Sequence, residues 1–231
     1  MSRPSSAPLP PGQRAWDRFP RFGLPRFAAR WPDQAPILLR ITGELASPLE
    51  LLADDLACLP RREQTSDLHC ATTWTACKLH WGGVSFTDFY QQIVVPRAQP
   101  DADCRHAVLT GRDGYRTSLP LEDLLGSDVL LADHLDGRPL SAEHGAPLRL
   151  IAPRHYGYKN VKYLASIRLQ RDPAPGLAGW KDHSRGRVAL EERGLRLPAR
   201  TYRWLLRALL PAYECWFRRR SAATRPRGSS P

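Results

Sequence analysis

Residues 146–170, APLRLIAPRHYGYKNVKYLASIRLQ, restrict the fold of this chain more than any other stretch. The apolar run Leu148–Ala152 reads as a strand, and Val161–Leu169 reads as a second one. Between them stand Pro153, Arg154, His155, Tyr156, Gly157, Tyr158, Lys159 and Asn160, an aromatic and cationic loop centred on a glycine. Two core strands joined by such a loop imply that the loop holds a ligand.

The remaining segments define the setting. Residues 37–45 (ILLRITGEL) predict a strand ending at Gly43. Residues 47–60 predict a helix, with Ser47 as N-cap, Pro48 at the first helical position and Glu50 closing a capping box. Residues 67–74 (DLHCATTW) read as a strand that runs out into a loop at Cys70. A helix over 85–95 capped by Ser85, strands at 106–111 and 128–133, a turn at Asp113-Gly114 followed by a Pro120-led helical turn, and a turn at Asp136-Gly137 follow. Residues 201–210 have helical spacing. Strands and short helices thus alternate irregularly, without an internal repeat. This predicts an α+β fold, a single mixed-sheet domain, over a doubly wound parallel sheet.

With 231 residues, the chain suits one well-buried domain. The Pro- and Ser-rich residues 1–15 are expected to be disordered, 16–215 to form the domain, and the basic residues 216–231 to be a solvated tail. The segment 18–27 (RFPRFGLPRF) has no regular period and is expected to lie on the surface as an ordered arm. No apolar stretch approaches a membrane span and no export signal opens the chain, so a cytoplasmic location is expected. Five scattered cysteines fit a reducing compartment. The net charge of +11 raises the possibility of binding nucleic acid or an anionic surface, but the arginine runs lack interleaved stacking aromatics, and no stable partner of either kind is expected.

Cys70 is the first chemical candidate: a thiolate at a strand end can be a nucleophile or a metal ligand, whereas an isolated cysteine is most often a small buried hydrophobe. His69, Cys70, Cys77 and His80 are zinc-ligand types, but their spacing does not form the usual paired knuckle. Glycine-rich phosphate loops and a serine nucleophile elbow are absent from the sequence.

Taken in order, Cys70 with Trp74, WGGVSF (81–86), GYRTSLPLEDLL (114–125) and the run from Gly137-x-Pro139-Leu140 through His144-Gly145-x-Pro147-x-Arg149 to Tyr156-Gly157-Tyr158-Lys159-x-x-Lys162 resemble the molybdopterin-dependent oxidoreductase domain of the sulfite oxidase superfamily. The resemblance covers about residues 18–170. It implies molybdenum-molybdopterin as cofactor, with Cys70 as the thiolate ligand to the metal, a soft donor suited to it. It places His144, Arg149, Lys159, Asn160, Val161 and Lys162 around the pterin and its phosphate. Cys70, Trp74 and Tyr156 are the expected catalytic residues, with Thr72, His80 and His155 as further pocket candidates. The implied reaction is two-electron oxygen-atom transfer on a small oxo compound, with a separate cytochrome or flavoprotein as electron partner; the alternative is a non-catalytic basic protein that binds cofactor, nucleic acid or an anionic surface. Sulfite oxidases carry arginines just after the cysteine. Here Ala71-Thr72-Thr73-Trp74 follow, so a sulfoxide or N-oxide is expected in preference to sulfite.

Overall fold

The computed structural model describes residues 8–16, 19, 27, 36–179, 182–194, 201, 203–205, 207–208 and 215. Two sheets carry the chain. The first is built around β5 (Trp74–Ser85), which pairs antiparallel along its length with β4 (Arg61–His69). On its other side β5 pairs with β1 (Arg14–Trp16) near its start and with β8 (Leu130–Leu135) near its end. β8 leads outward to β9 (Arg138–Pro139) and β10 (Arg149–Ile151). The second sheet has the order β3-β2-β11-β6-β7, with β2 (Leu38–Gly43), β3 (Leu49–Leu52), β6 (His106–Gly111), β7 (Arg116–Pro120) and β11 (Leu164–Gln170). Only β11 with β2, in this sheet, and β1 with β5, in the other, pair parallel among the described residues. This is the expected α+β, mixed-sheet fold.

Strand alternation sorts the core into layers. Ile41, Leu109 and Ile167 of one sheet meet Val84, Leu131 and Leu150 of the other in the central core. The opposite face of the first sheet buries Trp74, Trp81, Leu130 and Ile151, with Leu68 and Leu140. Arg149 alternates with Leu150, so its side chain lies on this second face. The loop after β10 therefore does not close a simple hairpin. β10 and β11 belong to different sheets, tied at their base by Leu150 N–H to the Val161 carbonyl (2.9 Å) and Leu164 N–H to the Leu148 carbonyl (2.8 Å).

Two local expectations change. Residues 49–52 form β3 and the helix starts only at α1 (Ala53–Ala57). Pairing with β2 buries Leu51 and sets Glu50 against Arg40 at 2.8 Å, and this cross-strand energy overrides the capping signal at Ser47. The Asp55 carboxylate caps α1 instead, accepting from Leu52 N–H at 2.8 Å. The segment 1–15 is structured from residue 8: Pro11-Gly12 turn, Gln13 is buried, and β1 follows. The Ser85-capped helix runs as α2 (Phe86–Phe89), a π turn over Tyr90–Val94, and α3 (Val95–Ala98); the Pro120-led turn is α4 (Leu121–Leu124). The 216–231 tail and all of the 18–27 arm except Phe19 and Phe27 lie outside the described residues. Among the described residues no helix is long and apolar enough to cross a membrane.

Candidate functional site

Cys70 sits at the tip of the β4–β5 hairpin. Its N–H donates to the Trp74 carbonyl (2.8 Å) and its carbonyl accepts from Thr73 N–H (3.1 Å), closing a four-residue loop. Thr73 adopts a φ of 76°, a left-handed conformation costly for a β-branched residue. The N-terminal turn holds this conformation in place. Arg14 N–H donates to the Thr73 carbonyl (3.1 Å), and Gln13 Nε2 donates to the Cys70 carbonyl (3.2 Å) while its Oε1 accepts from Thr75 Oγ1 (3.0 Å). Backbone bonds thus fix the loop, and the half-buried thiol lies 3.0 Å from Thr72 Oγ1.

Farther along the same sheet face stands a buried arginine. Arg149 is 1% exposed, with its guanidinium 5.0 Å from the Trp81 ring and 5.8 Å from that of Phe19. Nη1 donates to the His144 carbonyl (2.6 Å). Lys162 Nζ donates to the Glu143 carbonyl (2.8 Å) and the Tyr163 hydroxyl to that of Ala142 (2.6 Å). Three consecutive carbonyls of the 3-10 turn Ala142–His144 are thus fixed by three side chains from the strand and loop that follow. Gly145, at φ 107°, allows the contact: a Cβ there would lie 2.9 Å from Lys162 Cβ. The His144 ring stacks on Phe19 (4.7 Å), and burial pushes its pKa down. Burial also lowers Arg149 to about 9, for no carboxylate among the described residues is bonded to it. Arg149 Nε and Trp81 Nε1 are buried donors with no hydrogen-bond acceptor among the described residues. Two unanswered donors beside a fixed cation are the kind of groups an acceptor-rich anion satisfies.

Other sequence candidates are directed elsewhere. Lys159, 1% exposed, donates to the carbonyls of Ser118 (2.8 Å) and Ser184 (3.0 Å) and lies 3.6 Å from Asp182. Asn160 braces its own loop, accepting from Ala152 N–H (2.7 Å) and donating toward the Tyr156 carbonyl (3.2 Å); Val161 N–H donates to the Lys159 carbonyl (3.1 Å). Trp74 is 2% exposed and packs edge-on against Trp16 (5.8 Å) beneath the Cys70 loop. Tyr156, fully buried, packs with Ala71 and Val188, and its hydroxyl accepts from Arg193 Nε (2.8 Å). His155 lies 2.7 Å from the Arg185 carbonyl, inside the segment 183–193 that straps this loop. His80 lies out on the hairpin, 2.9 Å from Glu63. No metal-binding group of three or more His, Cys, Asp or Glu occurs among the described residues. Gln13, Phe19 and Arg193 were not singled out from the sequence: each belongs to a segment without regular period.

Lys159 carries a pH signature. Burial, partly offset by Asp182, lowers its pKa from 10.5 to about 8. Between those values the unfolded chain binds more protons than the folded one, so stability should rise with pH from about 8 to 10, by at most about 1.4 kcal/mol per pH unit. Urea midpoints at three pH values measure this slope, and Lys159→Met should flatten it. A slope that is identical in the variant would assign the effect elsewhere.

The fold and this site define a class of redox enzymes. Residues 28–178 match the oxidoreductase molybdopterin binding domain, and the chain belongs to that family. It is 31% identical to the uncharacterized oxidoreductase YuiH of Bacillus subtilis, over 74% of this chain and 83% of that protein. It is 29% identical to the putative protein-methionine-sulfoxide reductase subunit YedZ1 of Azospira oryzae, over 65% of this chain and 54% of that one. It is 27% identical to the sulfite oxidase of Arabidopsis thaliana, over 62% and 44% respectively, so it spans about half the length of these last two. The sulfane dehydrogenase SoxCD from Paracoccus pantotrophus shares the fold, with a TM-score of 0.52 at 23% identity over 59% of this chain and 39% of that one. The protein is a molybdopterin-dependent oxidoreductase, and its cofactor is the molybdenum cofactor.

Proposed function

We propose that this chain carries out two-electron oxygen-atom transfer on a small sulfoxide or N-oxide, with Cys70 as the sole protein ligand to molybdenum. The reading rests on one observation: a half-buried thiol held by backbone bonds at a strained hairpin tip, on the sheet face that also buries Arg149 with its unanswered donor. When bound, the cofactor supplies a metal that changes oxidation state by two electrons as oxygen is exchanged. The chain does the rest. Cys70 gives a soft thiolate, and the 13–14 and 73–75 bonds keep it in one position. Arg149 and Lys162 hold the pterin's phosphate, and His144, stacked on Phe19 and held by Ser141 and the Phe19 carbonyl, walls the pterin side of that site. Lys159, Asn160 and Val161 act as the frame that keeps this loop closed. We take residues 16–215, extended back to the turn at Gly12, as one catalytic unit.

Support for a neutral substrate comes from residues 71–74, which bring no cation to the thiol. Arg154 bonds Asp128 at 3.0 Å and Lys159 bonds main-chain carbonyls, so neither turns toward Cys70. The test is metal and pterin analysis of the purified protein, then steady-state kinetics with sulfoxides, N-oxides and sulfite. Sulfoxide or N-oxide turnover should exceed sulfite turnover. Sulfite efficiency of about 10⁴ M⁻¹s⁻¹ or more would return the chain to the sulfite oxidases proper, and a protein that purifies without molybdenum from cells replete in it would remove the reading altogether.

A further inference from the structure

Large apolar side chains are exposed at four places among the described residues: Leu52, Val95, Leu190 and Trp204. Two of them belong to one surface. Leu190 (61% exposed) and Trp204 (73%) are chain neighbours of Glu191 and Arg203, whose side chains meet at 3.6 Å. Arginines surround this pair. Arg207 is held below its ordinary pKa by burial and by the charges of Arg14, Arg203 and Arg193. Arg193 lies beneath the surface, 6% exposed, with Nε on the Tyr156 hydroxyl; both of its Nη atoms lack a hydrogen-bond acceptor among the described residues. Glu191, 3.8 Å from Arg193, is the carboxylate paired with these arginines among the described residues.

The patch is continuous with the Cys70 loop. Arg14 bonds Thr73 through its main chain, and Gln13 bonds the Cys70 carbonyl. Gly12 is pressed under the patch: a Cβ there would lie 2.5 Å from Arg203 Cδ and 2.7 Å from Glu191 Oε1.

We propose that this surface docks an acidic electron-transfer protein, a flavoprotein or cytochrome. A tryptophan ringed by arginines is the composition of an interface anchor. An excess of cations steers an acidic partner to that place. The position puts a docked redox group beside the Cys70 loop, which is where the proposed function needs it. In the reductive direction each turnover takes two electrons from the partner and two protons from water, and converts a sulfoxide to a thioether and water.

The experiment uses the full, molybdenum-loaded chain and two probes, flavodoxin (an acidic flavoprotein) and mitochondrial cytochrome c (a basic haem protein). At about 20 mM salt flavodoxin should bind at least about tenfold more tightly than cytochrome c, and most of that preference should vanish at about 200 mM, where the screening length has fallen to about 7 Å. The double variant Arg203→Glu/Arg207→Glu should lose the preference, and Trp204→Ala should weaken flavodoxin about tenfold at both salt concentrations. Equal affinity for the two probes, or a charge-reversed variant that binds as the native protein does, would overturn the proposal. So would tighter binding of duplex DNA or of phosphatidylserine vesicles through the same arginines, which would make this a polyanion surface. Dye-coupled turnover, measured separately, reports on the proposed function; a native chain that turns over but shows no preference for flavodoxin refutes only the docking surface.

Discussion

Cys70→Ser should bring turnover to background, a loss on the order of 10³-fold or more, equal to at least about 4 kcal/mol in activation free energy. The protein should fold normally. The loop is held by the backbone N–H and carbonyl of residue 70, and serine keeps both. A half-buried Sγ-to-Oγ change costs little, within about 1 kcal/mol. What disappears is the soft thiolate, and a hard hydroxyl is a poor substitute at a metal that prefers sulfur. The measurements are metal-normalised turnover, thermal midpoint and the sulfur-to-metal charge-transfer absorption. Cys77→Ser and Cys104→Ser should keep turnover per folded molecule. If Cys70→Ser retained native activity, the thiolate would have no place in the reaction.

The second large effect has opposite signs on two observables. Arg149→Met should stabilise the cofactor-free protein and strip the loaded one. A buried guanidinium bonded to a carbonyl, with no carboxylate on it among the described residues, is a desolvated cation, and the fall in its pKa to about 9 registers that burden. Methionine would pack on Trp81 and Phe19 without it, raising apo stability by on the order of 1–3 kcal/mol. The charge-assisted contact to the phosphate, worth about 1.5–3 kcal/mol, would be lost, so cofactor affinity should drop by one to two orders of magnitude. Chemical denaturation of the apo form and molybdenum occupancy at limiting cofactor read the two effects independently. An apo protein weakened by the change would mean that Arg149 is structural.

Much of this site was legible only in part, for physical reasons. The strand 106–111 is where the alternation placed it, and Asp136-Gly137 forms its turn with both residues at positive φ. Those are local signals. Residues 47–60 also carry a local signal, but the partner strand at 38–43 decides their conformation, and nothing within the segment announces that partner. The same limit applies around the loop 153–162. Arg149 and Lys162 stand out as cations at strand ends. That Lys159 would turn inward depends on Ser118 and Ser184, 41 and 25 residues away. Nor does any pattern in 148–169 reveal that its two strands enter different sheets.

Gln13 and Arg193 are separated by nearly the whole described chain, yet Gln13 braces the Cys70 carbonyl and Arg193 the hydroxyl of Tyr156, which packs on Ala71. Both sheets, β11 included, are complete in the sequence by residue 170. The loop 153–162 gains its last braces only from the strap 183–193 that follows. The segment beside Cys70 is thus pinned from both ends of the chain, and a fragment lacking either end would leave it without one of its two braces.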